Sequence, residues 1–307
     1  MKVMEFHPAS GELTLRPAEY PTPRPGAGEL LIRVRAAGIT PSEKLWYPTS
    51  HNKDGTPRTA AVPAHEFSGV IEQAGDGVDA FRPGDEVFGM NDWFASGAIA
   101  EYCIAKEAHV ALKPHSLSHV EAATVPIAAL TSWQGLVERA RLLPGEKALI
   151  QGGAGAVGLF AVQLAKLQGA YVVATVSAED IELVLELGAD QAIDYRNDRF
   201  EESGRMDVIF DAVGGETLRR SWGLLNPGGR LVTIAANSEA ATDPSVKDAF
   251  FIVEPDGARL AEIAKLIDAG TLKTFVKAEM PMAAANDAFR SWAGPRRVGK
   301  LVVRIDA

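Results

Sequence analysis

One stretch limits the possible folds more than any other: "LIQGGAGAVGLFAVQLAK", Leu149–Lys166. An apolar run of strand character ends at Gln151, and a helical pattern begins near Ala156. Between and just beyond them stand Gly153, Gly155 and Gly158, spaced G-x-G-x-x-G. Such a pattern is weak evidence alone, but between a strand and a helix of a βαβ unit it has a physical use. Gly153 permits a tight turn. Gly155 lets backbone N–H groups approach a pyrophosphate at the positive helix end, and Gly158 allows close helix–strand packing. Ala154, Ala156 and Val157 complete a small-residue cradle. The stretch predicts a dinucleotide-binding domain.

The rest of the chain is organised around that unit. Up to about residue 115, short alternating runs such as "ELLIRVRAA", "FSGVIEQAG" and "GDEVFGM" are punctuated by Gly, Pro and Asp, which predicts a β-rich domain. From Leu117, "SHVEAATVPIAALTSWQGLVERARLL" holds two helical segments, the second starting near Pro126. Strands then alternate with helices through "YVVATV", "AEDIELVLELG", "QAIDY", "DVIFDAV" and "RLVTIAA", predicting a parallel sheet covered on both faces. The helix "GARLAEIAKLIDAG" follows, and the terminal strand "GKLVVRI" is placed to return to the first domain.

Composition narrows the function classes. The 307 residues are 47% hydrophobic and 23% charged, which suits a soluble globular protein. No apolar run approaches the roughly 20 residues of a membrane span, and "MKVMEFHPAS" lacks a signal-peptide core. A net charge of -9 argues against a nucleic-acid partner. Cys103 is the single cysteine, so no disulfide forms within the chain, and a cytoplasmic location is expected. A zinc cluster of several thiolates is excluded for the same reason.

The choice between NAD and NADP rests on the end of the next strand. An NAD-preferring fold has Asp or Glu there, about 20 residues beyond the glycines. Here the chain reads "ATVSAED", with Ser177 nearest that place. Tyr195 and Arg196 end the following strand and are placed to flank an adenine ribose; Glu179 and Asp180 would repel a phosphate that they faced. The balance favours NADP (NADPH), with NAD as the alternative.

These features together resemble the medium-chain dehydrogenases/reductases, specifically the zinc-independent quinone oxidoreductase (zeta-crystallin-like) branch. The resemblance is carried by "GEKALIQGGAGAVGLFAVQLAK", "FRPGDEVFGM", "GAIAEY", "AALTSWQGL", "LGADQAIDYR", "DVIFDAVGG", "LNPGGRLVTI" and "VGKLVVRI". Ala156 departs from it, where a glycine is usual. The resemblance implies an α/β architecture: a GroES-like β-domain (1–120, with 271–307 returning to it) plus a Rossmann doubly wound parallel-sheet domain (121–270). It also implies cofactor contacts at Thr131, Val213 and Lys300.

The run "VPAHEFSGV", Val62–Val70, raises the question of a metal. In zinc alcohol dehydrogenases of the superfamily, a catalytic Cys precedes the Gly-His-Glu motif, and a third ligand lies in the cofactor domain. Here Thr40 stands where the Cys would be, and the third position falls near Ile127. His65 with one carboxylate cannot make a tight tetrahedral site, so no metal is expected. His65 is then a polar residue lining the cleft or a satisfied core histidine.

Without a Lewis acid, the fitting substrates are quinones and α,β-unsaturated carbonyls, whose conjugation spreads the developing charge. Candidate donors are Thr40, Ser42, Tyr47, His65 and Thr131, although Thr40 and Ser42 also suit capping of a short helix near Pro41. Trp46, Phe67, Trp93 and Phe94 are candidates for an apolar wall or for ordinary core. The expected function is an NADPH-dependent quinone or enone/enal reductase; the alternatives are a zinc-type alcohol dehydrogenase and a non-catalytic NADP(H)-binding redox sensor. "AFFIVEP", Ala249–Pro255, reads as an apolar edge strand. As relatives pair there, a homodimer is expected.

Overall fold

The computed structural model describes residues 1–7, 14–235, 242–290 and 298–305. Contacts divide the chain into two units, Met1–Ile127 with Pro255–Ala307, and Ala128–Glu254. In the first, strands β1 (Lys2–Phe6) and β2 (Leu15–Glu19) form an antiparallel pair. The long strand β3 (Glu29–Ile39) organises the larger sheet, because its apolar residues are buried almost throughout. It pairs antiparallel with β4 (Glu66–Ala74), which pairs with β5 (Glu86–Met90). Strand β6 (Tyr102–Lys106) also lies on β3, and β7 (Val110–Leu112) lies on β5. Phe6, Ile32, Phe67, Ile71, Phe289 and Val303 meet in the core of this unit.

The second unit is built on β8 (Lys147–Gln151), β9 (Tyr171–Val176), β10 (Gln191–Asp194), β11 (Met206–Asp211) and β12 (Leu225–Thr233). All neighbours are parallel, in the order β10-β9-β8-β11-β12. The central strands are buried nearly end to end, as expected of a sheet covered on both faces. From β8 the chain runs outward to β10, then restarts at β11 on the other side. The reversal between β8 and β11 is the switch point at which such sheets take ligands. Helices Ala156–Leu167, Ile181–Glu186 and Gly215–Ser221 cross between strands.

At the C-terminal end, β13 (Val276–Pro281) lies parallel to β14 (Lys300–Arg304), and β14 pairs antiparallel with β3. The chain divides at 127/128 and 254/255, where the sequence placed the limits at 120/121 and 270/271. The difference at the second limit has a physical cause. Helix Gly257–Asp268 packs on β7, and a Cβ on Gly257 would lie 2.3 Å from the Val110 carbonyl oxygen. Its last residue, Asp268, accepts hydrogen bonds from Ser116 N (2.9 Å) and Oγ (2.7 Å).

Ala249–Pro255 is not the strand expected. Phe250 makes one isolated parallel bridge to Thr233. Further on, the side-chain amide of Gln134 replaces a neighbouring strand: it donates to Glu254 O (2.8 Å) and accepts from Glu254 N (3.0 Å). The last residue of "RLVTIAA", Ala236, lies outside the described residues. Among the described residues, no helix is long and apolar enough to cross a membrane.

Candidate active site

The second unit supplies a cradle made of backbone. Gly152, at φ 80°, makes the turn out of β8. Its N–H donates to Thr175 Oγ1 (3.1 Å), which in turn donates to Gln151 Oε1 (2.6 Å). The tight-turn role expected of Gly153 therefore belongs to its predecessor. Gly153 is needed for another reason: a Cβ there would lie 2.9 Å from that of Ala174 on β9. A Cβ on Gly158 would meet Gly152 O at 2.1 Å, so the helix packs directly on the turn. Gly155 is the N-cap of helix Ala156–Leu167 and offers no side-chain cap. A Cβ there would meet only Gly152 O, at 3.3 Å. Ala154, Ala156 and Val157 are half-buried around it. Uncapped N–H groups at a helix start, with room before them, fit a dinucleotide pyrophosphate.

Other expected cofactor residues fall in two groups. Val213 follows β11 and lies against the Gly152 turn; Thr131 is buried on helix Pro126–Trp133. Ser177, Tyr195 and Arg196 come together because Tyr195 N donates to Val176 O (3.1 Å). Their polar groups are already engaged. Ser177 Oγ donates to Asp180 Oδ2 (2.6 Å), and Arg196, over the Tyr195 ring, reaches Glu179 Oε1 (3.4 Å). Lys300 lies in the first unit, buried against Glu66 Oε1.

The first unit supplies a side-chain centre. Thr40 is the N-cap residue of the 3-10 turn Pro41–Leu45, but its hydroxyl makes no cap bond. Ser42 is half-buried and Tyr47 is exposed, stacked on His51 at 4.4 Å. His65 is 5% exposed, and its Nδ1 meets Glu43 Oε1 at 2.5 Å. Glu43, itself 1% exposed, also accepts Ala64 N–H at both oxygens, 2.9 and 3.0 Å. Trp93 covers the imidazole at 5.4 Å, Trp46 stands edge-on to Trp93 at 4.9 Å, and Phe94 packs on Tyr47 at 6.5 Å. Phe67 belongs to the core instead.

Sequence reasoning missed Glu43. The signal was present: Thr40-Pro41-Ser42-Glu43 has the spacing of a capping box, which would turn the acid back on Thr40 N. The fold instead sends the carboxylate across to Ala64 and His65.

The donor set does not fit zinc. Thr40 and Ile127, at two of the three places where the family resemblance puts zinc ligands, offer a neutral hydroxyl and no side-chain donor. Glu66 is taken by Lys300 and by Ile127 N–H (2.9 Å). Burial pushes the Glu66 carboxyl above the usual glutamate range, opposed by the Lys300 ammonium and that N–H. Among the described residues, no three His, Cys, Asp or Glu side chains cluster as metal ligands.

Known proteins resemble the chain in both sequence and fold. Residues 26–115 match the family model of the alcohol dehydrogenase GroES-like domain, and 187–303 that of the zinc-binding dehydrogenases. The 2-methylene-furan-3-one reductase of Solanum lycopersicum is 33% identical over 287 residues, 90% of this chain and 71% of that protein. The chloroplastic NADPH-dependent alkenal/one oxidoreductase of Arabidopsis thaliana is 33% identical, over 90% of this chain and 72% of that one. The solved quinone oxidoreductase of Coxiella burnetii superposes with a TM-score of 0.88 at 26% identity, covering 100% and 99% of the two chains. With a GroES-like unit, a Rossmann unit and relatives of this kind, the chain belongs to the medium-chain dehydrogenase/reductase superfamily, in its quinone oxidoreductase-like branch.

Proposed function

We propose that this chain is a zinc-independent, NADPH-dependent reductase of quinones or α,β-unsaturated carbonyls. The observation that carries the reading is the first unit's polar centre: a buried imidazole oriented by Glu43 and covered by Trp93, with Thr40 and Ile127 at the places where the family resemblance puts zinc ligands. The tomato and Arabidopsis relatives, named for a furanone and for alkenals and enones, support the substrate class. When bound, the reduced nicotinamide supplies a hydride.

The chain's own residues do the rest. The glycine turn and Val213 hold the pyrophosphate end, while Thr131 stands ready for the nicotinamide ribose. The indoles of Trp46 and Trp93, edge-on to one another, offer an apolar wall. Ser177, Tyr195 and Arg196 favour the 2′-phosphate of NADPH once Asp180 and Glu179 release them. The buried single Cys103 suits a reducing cytoplasm.

A homodimer is part of the proposal, formed beside β12, where Ile252 is exposed. Sedimentation at micromolar concentration should give twice the chain mass. The function itself is tested by following NADPH oxidation with a panel of quinones and enones. Turnover of simple alcohols with NAD, lost on chelation, would overturn it.

A further inference from the structure

The C-terminal ends of the second unit's strands carry a buried polar row. Thr175 on β9, Gln151 on β8, Asp211 on β11 and Thr233 on β12 stand in register, each beside the next. Registered residues of neighbouring parallel strands share a face, so their side chains meet. All four are at most 3% exposed. Polar groups are unfavourable when buried unless bonded, and paired apolar residues of the same shape are nearly as stable. What the row bonds to is therefore the question.

The row divides at the switch point. Asp211 accepts Val213 N–H (3.2 Å), Gly214 N–H (3.0 Å) and the Thr233 hydroxyl (2.7 Å), so that half holds the turn after β11. The other half holds the glycine turn. Gly152 N–H donates to Thr175 Oγ1 (3.1 Å), and Gly153 N–H to Thr175 O (2.9 Å). Thr175 Oγ1 spends its own proton on Gln151 Oε1 (2.6 Å). Gln151 Nε2 then donates to Ser221 Oγ (3.0 Å), which donates to Thr217 O (2.8 Å). A hydroxyl has one proton, so the chain runs one way, from the turn to helix Gly215–Ser221, and leaves a Thr175 lone pair for Gly152.

We propose that Thr175 is a positioning residue for the dinucleotide pyrophosphate, with Gln151 fixing the direction of its hydroxyl. The inference rests on the cofactor reading above. Two consecutive N–H groups, those of Gly152 and Gly153, are turned inward onto Thr175, and Gly155 N–H closes on Gly152 O (3.0 Å). A turn fastened in this way leaves the N–H groups of Ala156 and Val157, the first of the next helix, to face the phosphates. Ser132 Oγ fastens that helix start as well, by donating to Val157 O (2.9 Å). Thr175 acts on the ligand through the turn and does not touch it.

The test compares two ligands on the full chain. Thr175→Val keeps the shape of the side chain and removes the hydroxyl; Thr175→Ser keeps the hydroxyl. Displacement of bound NADPH, followed by its fluorescence, gives the affinities of 2′-phospho-ADP-ribose, which carries the pyrophosphate, and of adenosine 2′-monophosphate, which does not. The ratio of the first affinity to the second should fall about tenfold in Thr175→Val, the effect of one hydrogen bond lost with its partner left unpaired. Thr175→Ser should keep most of the wild-type ratio. A general weakening of the fold lowers both affinities together, so an unchanged ratio overturns the proposal. If circular dichroism shows that Thr175→Val does not fold, Thr175→Ala makes the same comparison with the same expected fall. Wild-type protein that binds the two ligands equally, or neither, would overturn the cofactor reading, and the positioning role with it.

Discussion

The second unit builds its candidate cradle from backbone, whereas the first builds its polar centre from buried side chains drawn from distant parts of the chain. In the cradle the requirement is the absence of atoms. A Cβ on Gly153 or Gly158 would collide with neighbours at 2.9 and 2.1 Å, and no charge need be buried. In the first unit, Glu43, His65, Glu66 and Lys300 are each at most 6% exposed and come from a 3-10 turn, the start of β4 and β14. Consecutive residues on extended backbone point to opposite faces, so His65 turns to Glu43 and Glu66 to Lys300. A backbone site fails when something is added. A buried-charge site fails when something is taken away.

The largest effect should come from removing a charge. Lys300→Met leaves the buried Glu66 carboxylate with the Ile127 N–H as its hydrogen-bond donor among the described residues, and breaking such a pair costs about 3–5 kcal/mol. The denaturation midpoint should fall accordingly, and adding Glu66→Gln should restore part of the loss. The pH dependence has a definite sign. Burial raises the folded-state pKa of Glu66, so stability is fully present below the unfolded value and is lost as pH rises through the folded value. The Lys300→Met deficit should therefore be smaller in acid than at neutrality. Normal stability with weakened NADPH binding would show instead that Lys300 serves the cofactor, as the family resemblance implied.

Next comes the addition of atoms to the cradle. Gly155→Val should keep the fold, because its Cβ meets only Gly152 O. Its isopropyl group would stand where backbone approaches phosphate. Losing two charge-assisted hydrogen bonds corresponds to roughly 100-fold or more in affinity. Calorimetry decides it: unchanged NADPH affinity would mean that the turn is not the phosphate site.

The contrast between the units also explains what could be read in the sequence. The cradle was legible because its parts are consecutive and each glycine has a local reason. Only the tight-turn role slipped by one residue, from Gly153 to Gly152, since a spacing pattern carries no φ angle. The strands were legible through alternation. Glu43 was not, because its partners His65 and Ala64 are about twenty residues away and the local pattern pointed to a helix cap. Ala249–Pro255 misled for a related reason: an apolar run looks like an edge strand until a distant amide, that of Gln134, takes its backbone groups.

A smaller effect is expected at the ribose end, where backbone and side-chain logic meet. Arg196 is the cation available to a 2′-phosphate there, and it is half committed to Glu179. Arg196 is exposed and its bond is screened by solvent, so Arg196→Ala should remove a several-fold preference for NADPH over NADH. Glu179→Gln should act in the opposite direction, by freeing the guanidinium. Titration of both cofactors into the three proteins measures it. Tighter NADH binding in the wild type would assign the ribose hydroxyls to Glu179 or Asp180.

The smallest expected effect is none, and it is the sharpest test of the side-chain centre. Chelation by EDTA or dipicolinate should change neither turnover nor melting temperature, and elemental analysis should find zinc far below stoichiometry. Tight zinc sites need three or four donors in tetrahedral array. Here Thr40 offers a neutral hydroxyl and Ile127 no side-chain donor. Glu66 is held by Lys300, and the Nδ1 side of His65 is held by Glu43. Nε2 alone remains, and one imidazole does not retain the ion against a chelator. Stoichiometric zinc located at His65 by anomalous scattering would overturn this.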